Sequence, residues 1–430
     1  LEACDRNGFA FSAPGPNIYH IREKLIDAPE VAAAYEREMA WHIRQYRNHP
    51  SILFWTVGMN AYNPRGAIAP QGMGRRAPES SSATMPKVIE KACAIGREID
   101  PTRLYYSHAD GNHGDISSAN MYLNFAPLQE REEWPMQWAE SGDMPYMAVE
   151  FGPPYGANFW KGKRAFVTEY TAMLLGEKAY LAETEAALAK TLEYSVANKG
   201  HGALKNAVKD MYPAYWDFLR LVVRNTNRAY RTWGFNGGWA YWDFGPFGNP
   251  PGFDPKNNSH CFGRYRLITE APTDTPAWVS QGFEIYQQAN QPLLAYIAGA
   301  PRHTDKTHSY YSGEKIDKNI ALVWDGPGSR EVTGNWVLRE DKPGSKTIRK
   351  ESIRAKLRAG DITFTPVTFK AAQVSRRTTY VLELFLSKDA TETLIDSFPF
   401  AVFPELEPVK QVSGKVALYD PAGKSADWLT

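Results

Sequence analysis

The sequence predicts an α/β fold, a (β/α)8 barrel with strands three to eight present, followed by an all-β sandwich. Three observations predict it. Short apolar runs alternate with helix-period stretches from residue 8 to residue 290, the arrangement that makes parallel strands joined by crossover helices. Six of those runs have strand length and begin at residues 8, 51, 103, 119, 145 and 237, while an intact eight-stranded barrel occupies about 250 residues. Beyond residue 291 the helical period gives way to β-rich segments separated by Gly, Pro and charged turns.

Residues 8–12 read as the first strand. Pro29 stands where a first helical turn tolerates proline, and Val31, Tyr35, Met39 and Ile43 recur at helical spacing as one buried stripe that ends at His49-Pro50. Residues 51–57 form a continuous apolar strand. Residues 87–99 are helical, with Val88, Ala92, Ile95 and Ile99 on one face and Asp100-Pro101 as the stop. The runs at 103–107, 119–123 and 145–151 are the next strands, the last two separated by an aromatic helical stretch at 128–139. Helical patterns at 170–198 and 206–230 precede a strand at 237–244, and a helix at 277–290 closes this part. In the second part 316–324, 332–338, 379–386 and 398–403 read as strands of an immunoglobulin-like sandwich, with 292–306 as the linker.

The expected domains are a partial barrel over 1–290, a sandwich over 291–410 and the start of a further domain over 411–430. Leu1-Glu2-Ala3-Cys4 is mid-helix in character and 414–421 is a strand running into a turn. The chain is therefore expected to be an internal piece of a longer protein, and no localisation signal is read from it. A secreted or periplasmic bacterial parent fits this reading.

Composition excludes several classes. Lys plus Arg number 49 against 48 Asp plus Glu, a net charge of +1 that draws neither nucleic acid nor an anionic membrane. No apolar run approaches the ~18 residues of a membrane span. Cys4, Cys93 and Cys261 are odd in number and far apart, which argues against a disulfide framework and a zinc site. The nine His residues show no His-Glu-x-x-His spacing, so no metal is indicated. No Gly-x-Ser-x-Gly elbow, P-loop or dinucleotide fingerprint is present, so no cofactor is expected. The 13 Trp, 23 Tyr and 20 Phe are core filler or platforms for the C–H faces of sugar rings.

In such barrels the active site lies at the C-terminal ends of the strands. The polar and aromatic residues following the apolar runs are Asn60 and Tyr62, then His108, Asp110 and Asn112, then Asn120, Tyr122 and Asn124, then Glu150, then Trp242 and Asp243. Glu150 is a carboxylate at the tip of an otherwise apolar strand. It is either a structural acid paired with Arg or Lys or a catalytic nucleophile, because glycosidic bonds are normally cleaved by two carboxylates.

The segment Arg47-Asn48-His49-Pro50-Ser51-Ile52-Leu53-Phe54-Trp55-Thr56-Val57-Gly58 resembles the signature of glycoside hydrolase family two, clan A TIM barrels that include β-galactosidases and β-glucuronidases. In that signature Asn-His-Pro-Ser-Ile leads into a strand ending Trp-Ser-x-Gly-Asn-Glu. Ala3-Cys4-Asp5-Arg6-Asn7-Gly8 resembles the segment before the family's third strand, residues 145–152 its nucleophile strand, and Gly237-Gly238-Trp239-Ala240-Tyr241-Trp242-Asp243 its eighth. The resemblance covers roughly residues 1–290. It implies a barrel with Glu150 as nucleophile and a carbohydrate substrate, most simply a β-linked, galactoside-like oligo- or polysaccharide.

One departure stands against this pattern. The family's acid/base Glu falls on Asn60, and the Asn before it on Met59. An amide does not donate a proton as a carboxylic acid does. Three accounts follow: Glu169, further along the chain, replaces the lost acid; the substrate assists or carries an activated leaving group; or the chain is a non-catalytic carbohydrate-binding pseudoenzyme. Glu169 is equally a first-turn acid favoured by a helix dipole. Sugar contacts are expected from Asn60, His108, Asn112, Tyr122, Trp242 and Asp243, with His108 also a candidate proton donor. Trp134, Trp138, Tyr155, Phe159 and Trp160 are candidate cleft walls.

Overall fold

The structure, a computed structural model, describes residues 1–62, 64–76, 83–121, 123, 126–151, 215–241, 281–388, 391–406 and 418–420. Among the described residues the first part carries six parallel strands in two three-stranded sheets: β1 (Phe11–Pro14), β2 (Ile52–Met59) and β3 (Leu104–His108) in one, and β4 (Ser117–Asn120), β5 (Tyr146–Phe151) and β6 (Gly238–Tyr241) in the other. Both sheets run in sequence order. The two lie side by side, since Ser118 Oγ donates to the Ser107 carbonyl at 2.6 Å and isolated bridges join Tyr106 to Gly114 and Gly111 to Ser118.

Helices α1 (Glu2–Asn7), α2 (Lys24–Asp27), α3 (Pro29–Tyr46) and α4 (Thr84–Ile99) accompany the first sheet. Pro29 opens α3, and Tyr35, Met39 and Ile43 are its buried stripe; Met85, Val88, Ile89, Ala92 and Cys93 are that of α4. Both stripes enter one apolar cluster with Trp55, Val57 and Tyr105. Gly96 admits α4 close to β3, because a Cβ there would stand 2.2 Å from the Tyr105 ring.

The helical stretch expected at 128–139 is two short helices, α5 (Leu128–Glu133) and α6 (Met136–Ser141), broken at Trp134-Pro135, where proline removes a helical N–H. The strand expected at 119–123 begins and ends earlier, as β4. Of the expected helix at 206–230, α7 (Tyr215–Trp233) is described, and α8 (Gln281–Ala289) lies within the expected 277–290. The expected helix at 170–198 lies outside the described residues.

The C-terminal part is rich in β-strands. Here β7 (Leu293–Gly299), β9 (Lys315–Trp324) and β12 (Ile362–Lys370) form one sheet. The other holds β8 (Ser309–Tyr311), β10 (Ser329–Glu340), β11 (Thr347–Arg358), β13 (Thr378–Lys388) and β14 (Thr391–Phe403). The two faces share one core that includes Ile297, Ile320, Leu322, Trp336, Leu357, Leu382, Leu384 and Val402, the layering of a β-sandwich. The linker expected at 292–306 is corrected. Its first half is β7, hydrogen-bonded along β9 from Leu293↔Trp324 to Gly299↔Lys318.

Charged contacts join the two parts. Arg231 of α7 bonds Asp325 at 2.7 Å and the Pro292 carbonyl at 2.9 Å. Arg228 bonds Asp396 at 2.8 Å, and the second oxygen of Asp396 accepts the Ile297 N–H at 2.9 Å. Lys306 pairs with Glu132 of α5. Burial raises the Glu132 carboxyl above its ordinary pKa despite the opposing pull of Lys306.

Candidate active site

The ends of β2, β3, β4 and β5 bring Asn60, His108, Asn120 and Glu150 together. Parallel strands present their C-terminal ends on one side of a sheet, and register does the rest: Met59 pairs with His108 and Asn120 with Glu150. The Asn60 N–H donates to the His108 carbonyl at 2.9 Å, and the Met121 N–H donates to the Glu150 carbonyl at 2.7 Å. Asn120 Nδ2 donates to Asn60 Oδ1 at 3.3 Å. His108 Nε2 lies 3.2 Å from Glu150 Oε1, and both side chains are largely buried.

Glu150 reaches His108 through an irregularity in its strand. Along β5, Tyr146 and Ala148 pack in one apolar cluster, while Met147 and Val149 pack in another with Tyr106, Ala109 and Ile116. Strict alternation would place Glu150 with Tyr146, yet Phe151 takes that side. The register with β4 jumps at this point, Ala119 pairing with Ala148 and Asn120 with Glu150, so that Val149 is the extra residue. Such a bulge re-aims the side chain beside it. His108 follows Tyr106 by two residues and shares its face of β3. The cluster of Tyr106, Met147 and Val149 is thus an apolar floor beneath the His108–Glu150 contact.

Backbone strain is concentrated here. Among the described residues three non-glycines have positive φ, and two of them are Asn60 at 52° and Ala109 at 60°. The left-handed region costs an L-residue about 1–2 kcal/mol, less for Asn, whose side chain makes local hydrogen bonds. Asp110 fixes this turn: its buried carboxylate accepts the Tyr62 N–H at 2.6 Å and the Ser107 hydroxyl. Gly58, just before the turn in β2, is required by close approach, since a Cβ would stand 2.6 Å from Ile18 and 2.7 Å from Ser107 Oγ. Behind the turn Glu90 accepts the Gly114 N–H at 2.8 Å. Hydrogen bonding to His113 holds the Glu90 carboxyl below its ordinary range, against the opposing effect of burial.

Asn112 stands further along the same loop, where its Nδ2 donates to the Gly72 carbonyl at 2.7 Å and its Oδ1 accepts from Ser117. Glu169, Tyr122, Trp242 and Asp243 lie outside the described residues, as do Tyr155, Phe159 and Trp160. Trp55 is core, fully buried with Nε1 on Asp100 at 3.2 Å. Trp134 and Trp138 donate to the Ile68 and Met144 carbonyls at 2.6 and 3.0 Å, which is packing against the second sheet. Among the described residues no group of three or more His, Cys, Asp or Glu side chains is arranged to hold a metal ion. The sequence places His108 and Glu150 at the ends of two strands with one strand between them, and their contact is not legible there, since the bulge at Val149 leaves no mark in an all-apolar run.

Residues 1–183 match the family model described as glycosyl hydrolases family 2, TIM barrel domain. No curated protein matches the sequence. Among solved structures, a β-glucuronidase of Parabacteroides merdae is similar at 12% identity and a TM-score of 0.34, over 98% of this chain and 46% of that one. The chain therefore spans less than half the length of that relative. A glycosyl hydrolase family 2 member from Bacteroides cellulosilyticus is similar over 21% of this chain and 12% of that one, at 11% identity and a TM-score of 0.17. A CARDB domain from Pyrococcus furiosus is similar over 26% of this chain and 94% of its own, at 9% identity and a TM-score of 0.20.

Proposed function

We propose, from the premise that this is a glycosyl hydrolase family 2-like chain, that it is a glycoside hydrolase acting on a β-linked, galactoside-like oligo- or polysaccharide, with Glu150 as nucleophile. The observation that carries the reading is a carboxylate re-aimed from a fully buried strand into a polar rim of Asn60, His108 and Asn120. In a retaining mechanism Glu150 attacks the anomeric carbon while the leaving oxygen takes a proton from a second group, and water then releases the glycosyl-enzyme. Asn60 stands where the family carries that acid, and an amide does not supply the proton. Glu169 is the proposed donor. Asn60, His108, Asn112, Tyr122, Trp242 and Asp243 are the proposed sugar contacts. The proposal includes strands three to eight of the barrel over residues 1–290, an immunoglobulin-like sandwich over 291–410 and a further domain beginning at 411–430.

A second reading, a carbohydrate-binding descendant without turnover, is favoured by the amide at Asn60. Assays of the full chain on aryl β-glycosides and natural oligosaccharides decide between them. Glu150→Gln is expected to lower kcat/KM roughly 10⁴-fold, and Glu169→Gln to slow mainly substrates with poor leaving groups. Sugar binding without turnover, unchanged by either substitution, would sink the enzyme reading.

A further inference from the structure

We infer that His108 is a positioning residue for Glu150, donating an Nε2 hydrogen bond that holds the carboxylate in the orientation from which it attacks. The inference rests on the reading of Glu150 as nucleophile and adds to the sugar contact proposed for His108. Three observations carry it. The contact is 3.2 Å long, a hydrogen-bond distance, whereas a retaining acid stands about 5–5.5 Å from its nucleophile so that the glycosidic oxygen fits between them. His108 therefore acts on Glu150, not on the leaving group.

The second observation is how His108 is held. Its carbonyl accepts the Asn60 N–H at 2.9 Å. Ser107 before it donates its hydroxyl to Asp110 and receives Ser118 Oγ on its carbonyl at 2.6 Å. Ala109 after it is kept at a φ of 60°. Strain of this kind persists only where surrounding structure over-determines it, and it clusters at functional sites. The third observation is that the bulge at Val149 turns Glu150 toward the face of β3 that bears Tyr106 and His108. Glu150 is brought to the contact by a departure from regular strand geometry, which packing alone does not require, while His108 reaches it from the regular end of β3.

In the proposed step one Glu150 oxygen forms a bond to the anomeric carbon. The bond from that carbon to the leaving oxygen breaks, its electron pair departs with that oxygen, and the general acid protonates it. His108 keeps its Nε2 proton throughout and forms no covalent bond. A neutral imidazole protonated on Nε2 and an imidazolium both supply this donor.

The test uses the full chain with His108→Gln, whose amide nitrogen reaches the place of Nε2, and His108→Asn, whose shorter amide does not. Both are polar and of similar volume, so thermal melting is expected to be alike. On an aryl β-glycoside turned over by the unsubstituted chain, His108→Asn is expected to lower kcat about 100-fold with KM changed little. His108→Gln is expected to recover most of that loss. Labelling of Glu150 by a 2-fluoro aryl glycoside should slow in the same order. Equal rates for the two variants, or no loss in either while Glu150→Gln is inactive, would overturn the positioning role and leave the nucleophile in place. Full turnover by Glu150→Gln would instead overturn the reading on which the inference rests.

Discussion

In the sandwich every described residue with positive φ is a glycine: Gly313, Gly328, Gly344 and Gly360 each stand between two successive strands. At the ends of β2 and β3 the same backbone region is taken by Asn60 and Ala109. Glycine enters it without a Cβ penalty, so the sandwich turns are relaxed. The turns around His108 are held by a buried Asp110 and by hydrogen bonds across strands. Two buried carboxylates show a related contrast. Asp396 meets a guanidinium and a backbone N–H, an arrangement that joins two parts of the molecule. Glu150 meets an imidazole at a strand end, among amides. The comparison teaches that one chain uses local conformational cost in one half to place side chains and regular hydrogen bonding in the other half to hold shape.

The largest expected effect tests the structural side. Asp396→Ala leaves Arg228 and the Ile297 N–H without their shared carboxylate, and breaking a buried pair of this kind costs about 3–5 kcal/mol. Urea unfolding should register that loss, and a loss under about 1 kcal/mol would show the link to be ornamental. A smaller effect tests the strained side. Replacing a buried Ala by Gly removes about 0.8 kcal/mol of methyl burial and adds about 0.5–1 kcal/mol of backbone entropy cost. Ala321→Gly in β9 should therefore lose about 1.5 kcal/mol. Ala109→Gly should be nearly neutral, because relief of about 1–2 kcal/mol of left-handed strain offsets the loss. Equal losses at the two positions would mean that no strain is stored beside His108.

The smallest effect lies at the opposite ends of the same strands. Asp5 accepts the Ser51 N–H at 2.9 Å and faces His49 Nδ1 at 2.6 Å. Hydrogen bonds from Ser51 and then His49 hold its carboxyl down at about 2. An unfolded Asp titrates near ~3.9. A depressed folded-state value means that the contribution is complete above the unfolded pKa and disappears as pH falls through about 2. Urea midpoints of Asp5→Asn should fall less steeply between about pH 4 and 2 than those of the unsubstituted chain. Parallel slopes would assign the acid sensitivity to other carboxylates.

Much of this was legible in the sequence. The apolar runs at 51–57 and 145–151 became β2 and β5, and Pro29 with its four-residue stripe became α3, because burial on one face writes a period into the chain. The linker expected at 292–306 follows from Pro292 and Gly299-Ala300-Pro301, whose break signals flank the seven-residue apolar run of β7 and hide it. Strand β11, Thr347–Arg358, escaped because it is densely charged and only Ile353 and Leu357 are buried along it. At the candidate site, Glu150 was visible as an acid ending an apolar run. Its contact with His108 was not, since cross-strand register and a bulge are set by pairing between distant segments. Asn112 was chosen for its position after a strand, and only the structure shows its amide engaged at both ends by Gly72 and Ser117.

Arg228 and Arg231 stand on one helix; the carboxylate that meets Arg228 belongs to β14 in one sheet, and the one that meets Arg231 immediately follows β9 of the other. Tension applied to either sheet is transmitted to the same α7 face. That helix leads within a few residues into β6, which hydrogen-bonds to the strand bearing Glu150. The sandwich thus acts as a brace on the outer wall of the sheet from which Glu150 projects. A load on that brace reaches the wall through two guanidinium rivets.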